Sequence, residues 1–179
     1  MEKSGFFNSV SGDRKYNAED FADYFATLIG NGVFPIPSTS LQVSANNNMT
    51  ITINPGKGWI NGYIYNNTAN LILNISTADS ILNRIDRVVL RYSTNGRAIN
   101  AVIKTGTAAS NPVAPSIERD SDFYELGLAD IYVSAGTTTI SSSNITDLRS
   151  NSSLCGWVNS LVEQNTIAIF NQYMVQVNS

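Results

Sequence analysis

Apolar and polar residues alternate from Arg84 to Lys104 on both sides of Asn95-Gly96, the pattern of two strands joined by a tight turn. Both turn residues tolerate the positive φ of a type I′ turn, so a two-residue hairpin is predicted there. In that register Tyr92 faces Ile99, Leu90 faces Ala101 and Val88 faces Ile103, which makes one face of the ribbon apolar on both strands at once. The reverse face sets Val89 against Val102, Arg91 against Asn100 and Arg87 against Lys104. Like charges directly opposite repel unless water screens them, so this face is expected to meet solvent at its ends.

The same period of two recurs elsewhere. Leu41, Val43 and Ala45, then Met49, Ile51 and Ile53, alternate around a turn at Asn46 to Asn48 and read as a second hairpin. Trp59 to Tyr65 reads as one strand turning at Asn66-Asn67, so that Ile64 meets Ala69, Gly62 meets Leu71 and Ile60 meets Leu73. Trp59, Tyr63 and Tyr65 would then share the opposite face. Tyr124 to Val133 is apolar without alternation, as a strand covered on both sides requires. Thr137 to Ile140 is expected to add a short strand, and Thr105 to Ser121 to form a long surface loop.

Two segments change to helical spacing. Asn17 stands where an N-cap belongs, with Glu19 and Asp20 suited to a first turn, and Phe21, Tyr24, Phe25 and Leu28 form a stripe ending at Gly30. Phe21, Phe25 and Leu28 are expected to be buried against the sheet. From Leu154 to Val177 the apolar residues again follow helical spacing, over a length of roughly 35 Å if helical throughout. Leu154, Val158 and Leu161, spaced four and three apart with Trp157 beside them, could form a seam between three copies, giving a homotrimer. The alternative is that this helix folds back on its own domain. The predicted architecture is therefore mainly β: an antiparallel β-sandwich over residues 1–150 with an N-terminal helix packed on it, and a long C-terminal helix over 151–179 that serves as a possible oligomeric stalk.

Composition narrows the function more by exclusion than by assignment. Charged residues make up 14% of the 179, against a usual figure of about 25%, and Asn, Ser and Thr supply the polarity. With a net charge of −3 and no basic stripe, a nucleic-acid interface lacks its electrostatic footprint. Histidine is absent and Cys155 is the only cysteine, which removes Ser-His-Asp and Cys-His catalysis, common zinc sets and any internal disulfide. Cys155 itself is expected to be a buried, inert thiol. Asp120, Asp122 and Glu125 could approach calcium, but the run lacks the glycine and further oxygen ligands of a calcium loop, so a solvated loop is the reading. No phosphate-binding glycine loop occurs. We expect no enzyme activity, no cofactor and no metal. No apolar run is long enough for a signal peptide or a membrane span, and synthesis in a host cytoplasm is expected.

Trp59, Tyr63 and Tyr65 allow two readings: a flat aromatic platform for a sugar or a partner, or a second core face, which is favoured. Beyond these residues, FFNSVSGDRKYNAEDFADYFATLIGNGVF at Phe6 to Phe34, GWINGYIYNN at Gly58 to Asn67, RIDRVVLRY at Arg84 to Tyr92, YELGLADIYV at Tyr124 to Val133 and ITDLRSNSSLCGWVNSL at Ile145 to Leu161 resemble the N-terminal domain of the upper baseplate protein family of siphophages infecting Gram-positive bacteria. The resemblance covers most of the chain in order. It implies a virion structural protein of the tail baseplate: an adaptor that docks on the distal tail protein and presents a receptor-binding protein. The alternative is a carbohydrate-binding module that contacts host cell-wall polysaccharide through the three aromatic residues. Members of the family usually continue well beyond the stalk, so the expectation is either a fragment or a short member whose receptor-binding part is another polypeptide.

Overall fold

The computed structural model describes residues 2, 4–162 and 173. Among the described residues one α-helix, α1 (Ala18–Ala26), precedes ten strands: β1 (Gly32–Val33), β2 (Val43–Ala45), β3 (Thr50–Ile53), β4 (Gly56–Ile60), β5 (Tyr63–Asn67), β6 (Leu71–Asn74), β7 (Arg84–Ser93), β8 (Ala98–Lys104), β9 (Phe123–Val133) and, after a 3-10 turn at Ser142–Asn144, β10 (Ile145–Asp147). They form three antiparallel sheets in the orders β1-β4-β5, β2-β3-β6 and β10-β9-β7-β8. One apolar core joins all three, with Val33, Ile51, Ile53, Ile60, Val88, Leu90, Leu126 and Ile131 fully excluded from solvent.

The central hairpin has the expected register, from Ser93 opposite Ala98 to Arg87 opposite Lys104. Its turn differs. The left-handed residue is Arg97, at φ 47°, and the loop runs over Thr94 to Arg97, with the Gly96 N–H donating to the Ser93 hydroxyl and the Arg97 N–H to the Thr94 carbonyl. A two-residue and a four-residue loop centred on the same dipeptide leave the same residues opposite one another, so the pairing survives the change of turn. On the other side of β7, β9 is buried on both faces as its unbroken apolar run predicts. A bulge at Leu128, between the pairs Val88–Ala129 and Val89–Gly127, interrupts this ladder. Across the bulge the Leu128 carbonyl accepts from the Leu148 N–H, and the Gly127 N–H donates to Leu154, so the chain after β10 continues along β9.

The second Asn-Gly in the chain is a turn that the alternation had concealed. Asn61 and Gly62 adopt φ 50° and 83°, and Ile60 pairs with Tyr63, so Trp59 to Tyr65 is a β4–β5 hairpin rather than a single strand. β6 consequently pairs with β3, Ile51 opposite Leu73, and not with its neighbour in sequence. Thr137 to Ile140 is irregular, and the extra strand is β10.

Asn17 caps α1 as expected: its side chain accepts from the Asp20 N–H while the Asp20 carboxylate accepts from the Asn17 N–H. The buried face is not the aromatic stripe. Ala22 is the buried residue, resting on the Asn61-Gly62 turn, whereas Phe21, Tyr24 and Phe25 are 48%, 49% and 42% exposed and Leu28 is half-buried. A small residue is what lets the helix backbone reach the turn, and the large rings are left outside. The helix also ends at Ala26 instead of Gly30, because Leu28 and Gly30 turn their backbone groups to Leu161 and Asn159. Phe25→Ala is therefore expected to cost about 1 kcal/mol in a urea titration, not the ~3–5 kcal/mol of a fully buried ring. A loss near the upper figure would mean that this face of the helix belongs to the core.

The helix expected from Leu154 does not form over the described residues up to Val162. Leu154 lies in a turn, Gly156 is left-handed at φ 85°, and Trp157 pairs in parallel with Val33. Val33 donates to the Gly156 carbonyl and accepts from the Val158 N–H, so residues 156–158 serve β1 as a neighbouring strand. Leu154, Trp157, Val158 and Leu161 thus do not share a helical stripe, and residues 163–172 and 174–179 of the expected stalk lie outside the described residues. Arg149 fastens this segment: its guanidinium pairs with Asp147 at 2.7 Å, donates to the Ser38 and Ser40 carbonyls and lies over the Trp157 ring.

Candidate functional site

Of the hairpin face expected to meet solvent at its ends, the Arg87–Lys104 end is instead covered by the loop from Thr105 to Ser121, whereas Asn100 toward the turn is exposed. Arg87 grips Asp130 with two bonds, at 2.7 and 2.8 Å, and donates a third to the Pro115 carbonyl. Glu125, fully excluded from solvent, accepts from Arg91 at 2.6 Å and from Lys104 at 2.8 Å, while Lys104 also reaches the Ser116 carbonyl and Glu118. Burial by itself raises the Glu125 pKa, but Lys104, the Glu118 N–H and Arg91 together outweigh it and hold the carboxylate below its ordinary range. A second buried pair, Arg84–Asp86 at 2.9 Å, ties the Ser76–Thr77 carbonyls and the Gly106 N–H to the start of β7. These charges are spent on one another and on backbone groups, which makes them structural. Of the acids weighed for calcium, Glu125 belongs to this network and Asp120 caps its own loop by accepting from the Asp122 and Phe123 N–H groups. Those bonds hold the Asp120 pKa low.

The aromatic platform is divided by the Asn61-Gly62 turn. Gly58 pairs with Tyr65 and Ile60 with Tyr63, so the tyrosines share a face, whereas Trp59 pairs with Ile64 on the other. Trp59 stands edge-on to Phe25, at 6.3 Å between ring centres, and its indole N–H is buried without a hydrogen-bond partner among the described residues. Tyr65 packs against the core, and burial raises its pKa. Tyr63 stacks on Tyr92, with ring centres 5.2 Å apart and planes 26° from parallel. Burial, then the Tyr92 hydroxyl, then the Glu19 and Asp23 carboxylates raise the Tyr63 pKa, so Tyr63 stays a neutral phenol with a hydroxyl able to donate.

This stacked pair forms the floor of a surface groove. One part, about 450 Å³, runs between Ile64 of β5 and Ile99 of β8. The other, about 290 Å³, continues past Glu19 and Thr94 to Asp20, Asp23 and Asp120. Tyr92 was legible only as an apolar face of the hairpin; what makes it part of a site is the arrival of β5 beside β8, and no local pattern signals that.

A separate surface is built by the N-terminal arm. Phe6 stacks on Tyr16 at 5.5 Å, lies tilted on Phe21 at 5.5 Å and meets the edge of Tyr24 at 5.1 Å. The Tyr16 hydroxyl accepts from the Phe7 N–H and donates to its carbonyl, which fastens the arm to its own base. Phe6, Phe7, Phe21, Tyr24 and Phe25 all remain largely exposed. Cys155, by contrast, is buried, with burial pushing its thiol up to about 12, so it is no nucleophile at neutral pH. Among the described residues no cluster of His, Cys, Asp and Glu could hold a metal ion, and no helix is long and apolar enough to cross a membrane. No family model, curated protein or solved structure matches this chain.

Proposed function

We propose that this chain is a structural adaptor of a phage tail baseplate, docking on the tail core and presenting receptor-binding parts. The observation that carries the reading is the aromatic surface of the N-terminal arm and α1. Large rings held in a defined cluster, yet left outside the core, are the composition of a protein-docking surface rather than of a solvated helix. They fall in the stretch Phe6 to Phe34 that resembles the baseplate family. The ion pairs beneath residues 105–121 suit a module that transmits position, because charged groups bonded from several sides hold their elements in one arrangement. The carbohydrate-binding alternative needs three rings on one face; with Trp59 turned toward α1 and Tyr65 toward the core, only Tyr63 of the three reaches an open groove.

Co-purification with the distal tail protein of the same phage tests the adaptor reading. A stable complex at micromolar concentration is expected, and Phe21→Ser with Tyr24→Ser should abolish it while leaving the melting temperature within a few degrees, since both rings are half exposed. If the intact, folded chain fails to bind, or the double variant binds as well as the parent, the arm is not the docking surface.

A further inference from the structure

The groove over Tyr63 and Tyr92 lies between two sheet margins. β5 ends the sheet β1-β4-β5 and β8 ends the sheet β10-β9-β7-β8, so each presents an outer row of backbone groups without a strand partner among the described residues. The two strands approach each other over a few residues without forming a ladder. An exposed edge of this kind is a template for an extended chain, whose main-chain bonds supply affinity while the pockets read alternate side chains.

The charge along the groove is asymmetric. Its β5–β8 part offers Ile64, Ile99 and the tyrosine rings to an apolar side chain, and Arg97 at the hairpin turn puts a positive charge on that end. Its far part is lined by Glu19, Asp20, Asp23 and Asp120, and no lysine or arginine is among the described residues there. Asp20 and Asp120 already accept backbone bonds, so Glu19, exposed on the first turn of α1, is the carboxylate best placed to meet a new cation. The tyrosine rings beside it favour a guanidinium, which gains from an aromatic face as well as from a carboxylate.

We propose that this groove binds an extended, basic segment of a partner protein, added as a strand along β5 or β8, with an arginine or lysine directed to Glu19. The site is distinct from the aromatic arm, and the inference does not rest on the adaptor reading.

The test uses the full chain and a fluorescein-labelled octapeptide alternating valine and arginine, read by fluorescence polarisation. The arginine peptide should bind and its glutamate counterpart should not. Glu19→Lys should weaken binding about tenfold or more, the weight of one charge pair, with the melting curve showing that the variant is folded. Ile64→Arg, at an exposed position on β5, should weaken it comparably. N-methylation of every second residue of the peptide, which removes strand donors without changing charge, should abolish binding. The proposal is overturned if the arginine peptide shows no binding at millimolar concentration, if the glutamate or N-methylated peptide binds equally well, or if both variants bind like the parent. It is equally overturned if an N-acetylglucosamine tetramer occupies the groove and the peptides do not.

Discussion

Glu125→Ala is expected to lower stability by about 3–5 kcal/mol, the usual cost of removing one partner from a buried charge network. The carboxylate is fully buried and bonded to Arg91, Lys104 and the Glu118 N–H, so its loss leaves Lys104 only Glu118 and the Ser116 carbonyl and releases the loop's anchor at the Glu118 N–H. Urea unfolding at neutral pH reads the effect, and a loss below ~1 kcal/mol would mean that water already screens these charges. Acid provides a second readout. Because the folded-state pKa lies below the ordinary 4.5, the contribution is fully present above that value and disappears as pH falls through the lower, folded-state value. Glu125→Gln should therefore flatten the fall of stability below about pH 4.5. It should not abolish the fall, since Asp79, Asp120 and Asp147 are held low as well.

Gly62→Ala should lower stability by about 2–4 kcal/mol. Two costs combine there. The residue sits at φ 83°, where a side chain is strained, and a Cβ would strike the backbone carbonyl of Ala22. Gly136→Ala separates the two, for Gly136 is left-handed at φ 66° with nothing within 4 Å of the added carbon. That variant should lose only about 1 kcal/mol, the conformational part alone. Equal losses in paired thermal melts would show that α1 gives way at no cost, and the close packing of Ala22 on the turn would then contribute nothing to stability.

How far the sequence reads through to the structure depends on whether a feature is set locally. The register of β7 and β8 is, because alternation fixes which face each side chain takes and any turn centred on Asn95-Gly96 preserves it. The Asn17 cap is local too, since donor and acceptor stand three residues apart. The β4–β5 hairpin is a different case. Asn61-Gly62 and Asn66-Asn67 are both competent turns, and alternation continues through both; the choice falls to β3, which takes β6 as its partner. Which side of α1 is inward is likewise decided by what the helix meets. Against a tight turn the small Ala22 fits closer than Phe25, so the apolar stripe points outward despite its helical spacing. The charges of Arg87, Arg91 and Lys104 read as solvent-facing because their partners Asp130, Glu125 and Glu118 come from β9 and from the loop before it. The groove follows the same rule: Tyr63 stands out as an aromatic on a strand, whereas its pairing with Tyr92 depends on how two separate sheets meet.

The pairing of Val33 with residues 156–158 orders events during biosynthesis. Translation at about 5–20 residues per second leaves on the order of ten seconds between the emergence of β1 and that of the segment that closes its second edge. Throughout that interval one margin of the nascent β1-β4-β5 sheet is open to pairing with any neighbouring chain on a polysome. The hazard is contained by the strand itself, which is only two residues long and is followed by Pro35 and Pro37, residues that offer no N–H to an intruding strand. The brevity of β1 and the prolines that follow it protect the chain until residues 156–158 have been made.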